Sequence, residues 1–144
     1  MKKVIILSNH HVYMYNFRKE IIERLLDKNY EVYVVLPYGE KVDLLKNMGC
    51  RFINVNFDGR SMNPFNDLRL LYSYYKIIRD IRPHVVLSYT IKPNIYGGLV
   101  CRALDVPFIP NVTGLGSAVE NESLIQKVII SMYKIAFKKA SCVF

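Results

Sequence analysis

VVLSYTIKPNIYGGLVCRALDVPFIPNVTGLG, residues Val85 to Gly116, decides the fold. An apolar run, Val85 to Leu87, ends in the hydroxyl-bearing Ser88, Tyr89 and Thr90, and Lys92, Pro93 and Asn94 then open a helical stretch. A second, mostly apolar run from Val106 to Val112 empties into Thr113-Gly-Leu-Gly116. The order is strand, polar turn, helix, strand, polar turn. In parallel α/β sheets such turns lie at the carboxyl ends of the strands, where ligands bind. Two of them on neighbouring strands make one side of a cleft.

The same alternation runs back to the amino terminus. Lys3 to Ser8 is a β-branched run and reads as the first strand, with Asn9 to Asn16 as its polar and aromatic turn. Apolar residues at 17, 21, 22, 25 and 26 form a helical stripe over Phe17 to Lys28, with Asn16 as its N-cap. Glu31 to Leu36 and Arg51 to Val55 read as strands two and three, separated by a short amphipathic helix from Lys41 to Met48 that Gly49 stops. After the loop NFDGRSMNP, Phe65 to Ile81 is a long helix, and Pro83 ends it before strand four, His84 to Leu87. Asn94 to Leu104 is helical and Phe108 to Val112 is strand five. A last helix starts at Asn121 or Ser123 and reaches about Lys139. Ser141 to Phe144 reads as the opening of a sixth strand, which implies that a further segment follows. Strand and helix alternate throughout, so the expected fold is α/β: a doubly wound parallel sheet, Rossmann-like, in a single domain over residues 1–144.

Length and composition agree. A chain of 144 residues, 51% hydrophobic and 22% charged, supports one packed core. No apolar run is long enough to span a bilayer. The start, Met1-Lys-Lys-Val-Ile-Ile-Leu-Ser8, has the flavour of a signal peptide, but Asn9-His10-His11 interrupts it and no small-residue cleavage site follows. Cys50, Cys101 and Cys142 are odd in number and widely spaced, which fits reduced thiols in a cytoplasmic protein rather than a zinc site or disulfide framework. The net charge of +8 points to an anionic partner, whether phosphate, nucleic acid or membrane face, or to a solvated basic surface. No nucleic-acid recognition motif accompanies the charge.

The candidate chemistry lies in the turns. Neither a GxGxxG nor a GxxxxGK[ST] follows the first strand, which argues against a dinucleotide dehydrogenase and a P-loop enzyme. His10 and His11 stand there instead, as a general base or hydrogen-bonding pair, or as two exposed loop histidines. Acidic or cysteine ligands do not cluster with them, so no metal site is expected. Arg60, in Asp58-Gly59-Arg60-Ser61, suits bidentate recognition of phosphate or carboxylate, or is a surface arginine beside a turn glycine. Lys92 precedes a helix N-terminus, where free N–H groups attract anions, so an anion between them would explain a cation there as well as solvation does. Gly114 and Gly116, flanking Leu115, let backbone approach a ligand or simply make a turn.

In combination, TIKPNIYGG and NVTGLGSA resemble the amino-terminal half of family 4 glycosyltransferases, in the bacterial branch that builds capsule, O-antigen and other undecaprenyl-linked glycans. NFRKEIIERLLDKNYEV and GRSMNPFNDLRLLYSYYKIIRDIRPHVVLSYT resemble the same branch, so the likeness covers essentially the whole chain. It implies the first half of a GT-B fold: an acceptor-side domain facing a donor-binding domain that these residues do not contain. It implies a retaining transfer, without metal ion or cofactor, from a nucleotide-sugar such as a UDP-sugar to a polyprenyl-diphosphate glycan. Arg60 and Lys92 would meet the acceptor's anionic part, and Ser88, Thr90 and Asn94 would bind substrate beside them. His10, His11 and Thr113 would serve catalysis, with Gly114, Leu115 and Gly116 lining the cleft floor. Many relatives carry a glycine pair after strand one and a histidine after strand five; here Asn9-His10-His11 and Thr113 occupy those places, and the TGLG turn would supply N–H groups and a hydroxyl instead. Such an enzyme would be cytoplasmic and peripheral on the inner face of the membrane, with the lysines of the last helix on anionic lipid, and residues 1–144 alone would be inactive. The competing readings are a non-catalytic, membrane-docking acceptor subunit that pairs with a separate donor-binding chain, and a flavodoxin-like binding domain.

Overall fold

The computed structural model describes residues 1–57, 63–112, 124–138, 140 and 143. The chain order is β1 (Lys3–Leu7), α1 (His11–Asp27), β2 (Glu31–Leu36), α2 (Val42–Met48), β3 (Arg51–Asn54), α3 (Pro64–Ile81), β4 (Val85–Tyr89), α4 (Ile91–Leu104), β5 (Phe108–Asn111) and α5 (Leu124–Ala136). The five strands form one sheet in the order β3-β2-β1-β4-β5. Every pairing is parallel, with Val4 beside Val32 on one side and Val85 on the other. The doubly wound α/β sheet expected from the alternation is therefore present.

Its handedness follows from the sequence order. The chain steps outward from β1 to β3, returns across β1 to β4, and steps out again to β5. Right-handed crossovers then put α1 and α2 on one face and α3 and α4 on the other. The core divides accordingly. Val4 and Ile6 of β1 pack with Met14 and Ile22 of α1 and Leu45 of α2, whereas Ile5 and Leu7 pack with Leu70, Tyr74 and Ile78 of α3 and Val100 of α4. A strand buried on both faces needs an unbroken apolar run rather than alternation, which is why Val4 to Leu7 has no polar residue.

Local signals set most element ends. Asn63 caps α3 by accepting from the Phe65 N–H at 3.0 Å, with Pro64 in the first turn. Gly49 takes φ +112° after α2. The largest boundary difference from expectation is at α1; α4 also starts three residues early, at Ile91, and β4 runs on to Tyr89. α1 begins at His11, six residues before Phe17, because His10 and not Asn16 is the N-cap: its Nδ1 accepts from the Val12 N–H at 3.1 Å. The anticipated eight-residue turn therefore shrinks to Ser8–His10, and His11 to Asn16 become helical. The last helix packs on α4 through Tyr133 and Ala136, both buried, while Ile130 and Ile135 stay exposed. The sixth strand anticipated at the chain end is outside the described residues.

Candidate functional site

The strand order reverses between β1 and β4, so these two strands diverge at their carboxyl ends into helices on opposite faces. This topological switch point is where open α/β sheets bind ligands. A cavity of about 430 Å³ lies there, with Ser8 from the end of β1, Tyr89 and Thr90 from the end of β4, and Tyr13, Met14, Phe17 and Arg18 from α1 in its wall. A second, apolar hollow of about 390 Å³ runs between α3 and α4, away from the strand ends. It has no titratable group besides tyrosine in its lining and is the poorer candidate for chemistry.

Two features mark the first cavity. The Arg18 guanidinium lies over the Tyr89 ring, 4.5 Å from its centroid. A cation held on an aromatic face keeps its planar donor fork available, and among the described residues no carboxylate forms an ion pair with it. Thr90 has φ +75° and ψ +169°, a region that β-branched residues avoid. Its hydroxyl turns back onto the Tyr89 carbonyl, so the first N–H groups of α4 receive no side-chain cap. Uncapped helix N–H groups are anion-attracting.

The structure separates the residues that the sequence reading grouped together. Thr90 lies in the cavity wall; His10 and His11 do not. His10 is committed to capping α1 and stacks on His11 with centroids 4.7 Å apart. His11 packs under the turn after β2, where its Nδ1 accepts from the Lys41 N–H at 3.1 Å. A Cβ on Gly39 would run into its ring, so the turn fits against the imidazole only as glycine. Burial, then the neighbouring His10, hold the His11 pKa below its usual 6.5. The unfolded chain binds more protons than the folded one across that interval. The His11 contribution to stability is therefore full above about pH 6.5 and lost as pH falls. His11→Gln is expected to flatten the acid side of a melting-temperature profile between pH 5 and pH 7, about the range in which an imidazole titrates.

Ser88 and Asn94, expected to touch substrate, are fully buried and hold each other instead. The Ser88 hydroxyl donates to Asn94 Oδ1 at 2.5 Å, and Asn94 Nδ2 donates to the Asn111 carbonyl at 2.9 Å. Asn94 also donates to the Tyr133 hydroxyl, which offsets part of the upward pKa shift caused by burial. Their role is to tie the ends of β4 and β5 to α4 and α5. Lys92 likewise has a partner: its Nζ is 2.7 Å from Asp67 Oδ1, and its side chain is only 10% exposed. Asp67 also accepts from the Tyr96 hydroxyl, which together with burial pushes that phenol up to about 12. The cation at the start of α4 is thus balanced by a carboxylate from α3. Lys92→Ala should cost about 2 kcal/mol, because it strands a largely buried carboxylate. The Asp67→Asn/Lys92→Ala pair should recover part of that loss in urea unfolding. Arg60, Thr113, Gly114, Leu115 and Gly116 are outside the described residues.

Cys50 and Cys101 are buried free thiols, raised by burial to about 11 and about 12, which leaves them neutral and packed rather than nucleophilic. Among the described residues no group of His, Cys, Asp and Glu is placed to hold a metal ion, and no helix is long and apolar enough to cross a membrane.

The cavity residues missed by sequence reading were Ser8, Tyr13, Met14, Phe17 and Arg18, together with Tyr89 as the shelf for Arg18. Their signal was spacing. Met14, Arg18 and Ile22 recur every four residues, as do Tyr13, Phe17 and Ile21, and both series continue the helix back through the supposed turn.

Comparison with known proteins sets this geometry in context. The chain is 32% identical over 139 residues to the N,N'-diacetylbacillosaminyl-diphospho-undecaprenol α-1,3-N-acetylgalactosaminyltransferase of Campylobacter jejuni, covering 93% of this chain and 37% of that protein. Among solved structures it resembles MurG of Acinetobacter baumannii, with TM-score 0.65, 17% identity, and coverage of 99% of this chain and 40% of the other. It also resembles Staphylococcus aureus MnaA, solved with UDP, with TM-score 0.67, 14% identity, and coverage of 100% and 39%. The chain therefore spans about two fifths of the length of these relatives. The structural likenesses establish the fold; the family rests on the match of residues 3–144 to the model described as glycosyl transferase 4-like, and the chain belongs to that family.

Proposed function

We propose that residues 1–144 form the acceptor-side domain of a GT-B glycosyltransferase, which moves a sugar from a nucleotide-sugar to a polyprenyl-diphosphate glycan. The observation that carries this reading is the switch-point cavity, which sets beside an aromatic wall a guanidinium that pairs with no carboxylate among the described residues. Such a hollow suits a ligand with an anionic and an apolar part. The similarity to a transferase whose named acceptor is an undecaprenol-linked diphosphate supports the same reading. UDP-sugar is the proposed donor, retention the proposed stereochemistry, and assembly of capsule, O-antigen or another surface glycan the proposed setting. The donor would sit in an opposing domain. Arg60 would meet the acceptor's anionic part, and Thr113 to Gly116 would line the cleft floor. Thr90 would stand at the floor, and the whole enzyme would work on the cytoplasmic face of the membrane.

Catalysis in such a site rests on positioning two substrates and stabilising the leaving diphosphate. Half of the cleft does neither, so residues 1–144 alone should fold and bind acceptor weakly without turnover. The test is a transfer assay on the intact protein with labelled UDP-sugars and a polyprenyl-diphosphate monosaccharide. One added sugar, with the donor's anomeric configuration in the product, is expected. An inverted product would overturn retention, and no transfer from any nucleotide-sugar would overturn the enzymatic reading.

A further inference from the structure

We propose that the α1 wall of the switch-point cavity is a subsite for the lipid end of the acceptor. Arg18 would take the diphosphate, and Tyr13, Phe17 and Ile21 would carry the first units of the isoprenoid chain. This deepens the transferase reading and rests on it. Tyr13 is 58% exposed, Phe17 67% and Ile21 38%. They follow one another at intervals of four residues, so they share a helical face about 12 Å long. Single exposed apolar residues need no explanation, but here the first two also line the cavity that contains Arg18. Tyr13 and Phe17 stack with centroids 5.9 Å apart, giving a continuous apolar surface that starts in the hollow and leaves it along the helix.

The continuity selects the occupant. A membrane surface would call for a convex, basic rim around the apolar stripe. Here, among the described residues, the cation in the cavity wall is Arg18, stacked on Tyr89 beside the apolar face. A free phosphate would need only that cation. A molecule with an anionic head and an apolar tail uses both the cation and the apolar face beside it. Arginine's fork suits the diphosphate, and Tyr13 and Phe17 offer rigid area at little entropic cost.

Calorimetric titration of the full chain with farnesyl diphosphate, farnesol and inorganic pyrophosphate tests this. Farnesyl diphosphate should bind at least about tenfold more tightly than either fragment, since it alone engages both ends. Arg18→Ala should weaken both diphosphates by about tenfold or more, with partial recovery in Arg18→Lys. Tyr13→Ser/Phe17→Ser, a change of exposed side chains, should weaken farnesyl diphosphate by a similar factor and leave pyrophosphate unchanged. Unaltered farnesyl diphosphate affinity in either variant overturns the proposal. So does no binding to the parent chain, or a Tyr13→Ser/Phe17→Ser defect confined to lipid vesicles, which would make the face a membrane contact. Transfer by the intact enzyme separates the two levels. Turnover indifferent to these variants removes the subsite and leaves the transferase; expected binding without turnover does the reverse.

Discussion

Asn94→Ala is expected to lower the unfolding free energy by about 4 kcal/mol, a large share of the stability of a domain this size. Asn94 is fully buried and ties together three partners on three elements. Truncation leaves the Ser88 hydroxyl without its acceptor, the Asn111 carbonyl without its donor, and the Tyr133 hydroxyl with one bond fewer. Buried polar groups stranded in this way cost about 1–3 kcal/mol each, and part of this loss is recovered by relaxation and water. Chemical denaturation of the parent and variant measures the change directly. A second comparison isolates the network. Ser88→Ala/Asn94→Leu removes donor and acceptor together, so it should be more stable than Asn94→Leu alone by about 1 kcal/mol. Equal stabilities would mean that Asn94 acts through packing only. The site has a stake in this. Asn111 precedes residues 113–116 in sequence and Tyr133 lies in the helix that follows them, so Asn94 bonds to elements on both sides of the segment proposed to line the cleft.

The same residue shows where sequence reading works and where it stops. The TIKPN stretch stands out by its position after an apolar run, and it opens α4 at the carboxyl end of β4 beside the switch point. The alternation of apolar runs and helical stripes carries the parallel sheet, because strands buried on both faces read as unbroken apolar runs and the helices between them keep their stripe. What a linear pattern does not carry is the direction of a side chain. Thr90 and Asn94 are four residues apart, and one lines the cavity while the other is locked inside. Lys92 looked like an anion site because its partner, Asp67, is 25 residues away on another helix. The larger miss, Tyr13 and Met14 on the cavity face of α1, came from a cap. Histidine is not among the favoured N-cap residues, so Asn16 drew the helix start toward itself and turned six helical residues into a supposed loop.

Gly98→Val should be about as damaging as Asn94→Ala, with an expected loss of about 4 kcal/mol. α4 is the hub of this face: it packs on α3, α5 and the strands β4 and β5. Its close approach to α5 depends on having no side chain at residue 98. A Cβ there would stand 2.9 Å from the Ala136 carbonyl oxygen, 2.9 Å from Phe108 Cε1 and 3.0 Å from the Ala136 Cβ. Two of those three neighbours belong to the turn of α5 that seats it on the domain, and a backbone carbonyl does not rotate away as a side-chain tip does. Overpacking of this kind costs about 1–3 kcal/mol for one methyl and more for a branched residue. Alanine gives back about 1 kcal/mol as a better helix former than glycine. Gly98→Ala should therefore be destabilising by only about 1 kcal/mol, with valine several-fold worse. Adding Phe108→Leu to Gly98→Ala relieves one contact and leaves the carbonyl, so rescue should be incomplete. Full rescue would show that the ring, and not the seat of α5, sets the spacing. Gly98→Ala more stable than the parent would mean that α5 shifts freely over α4.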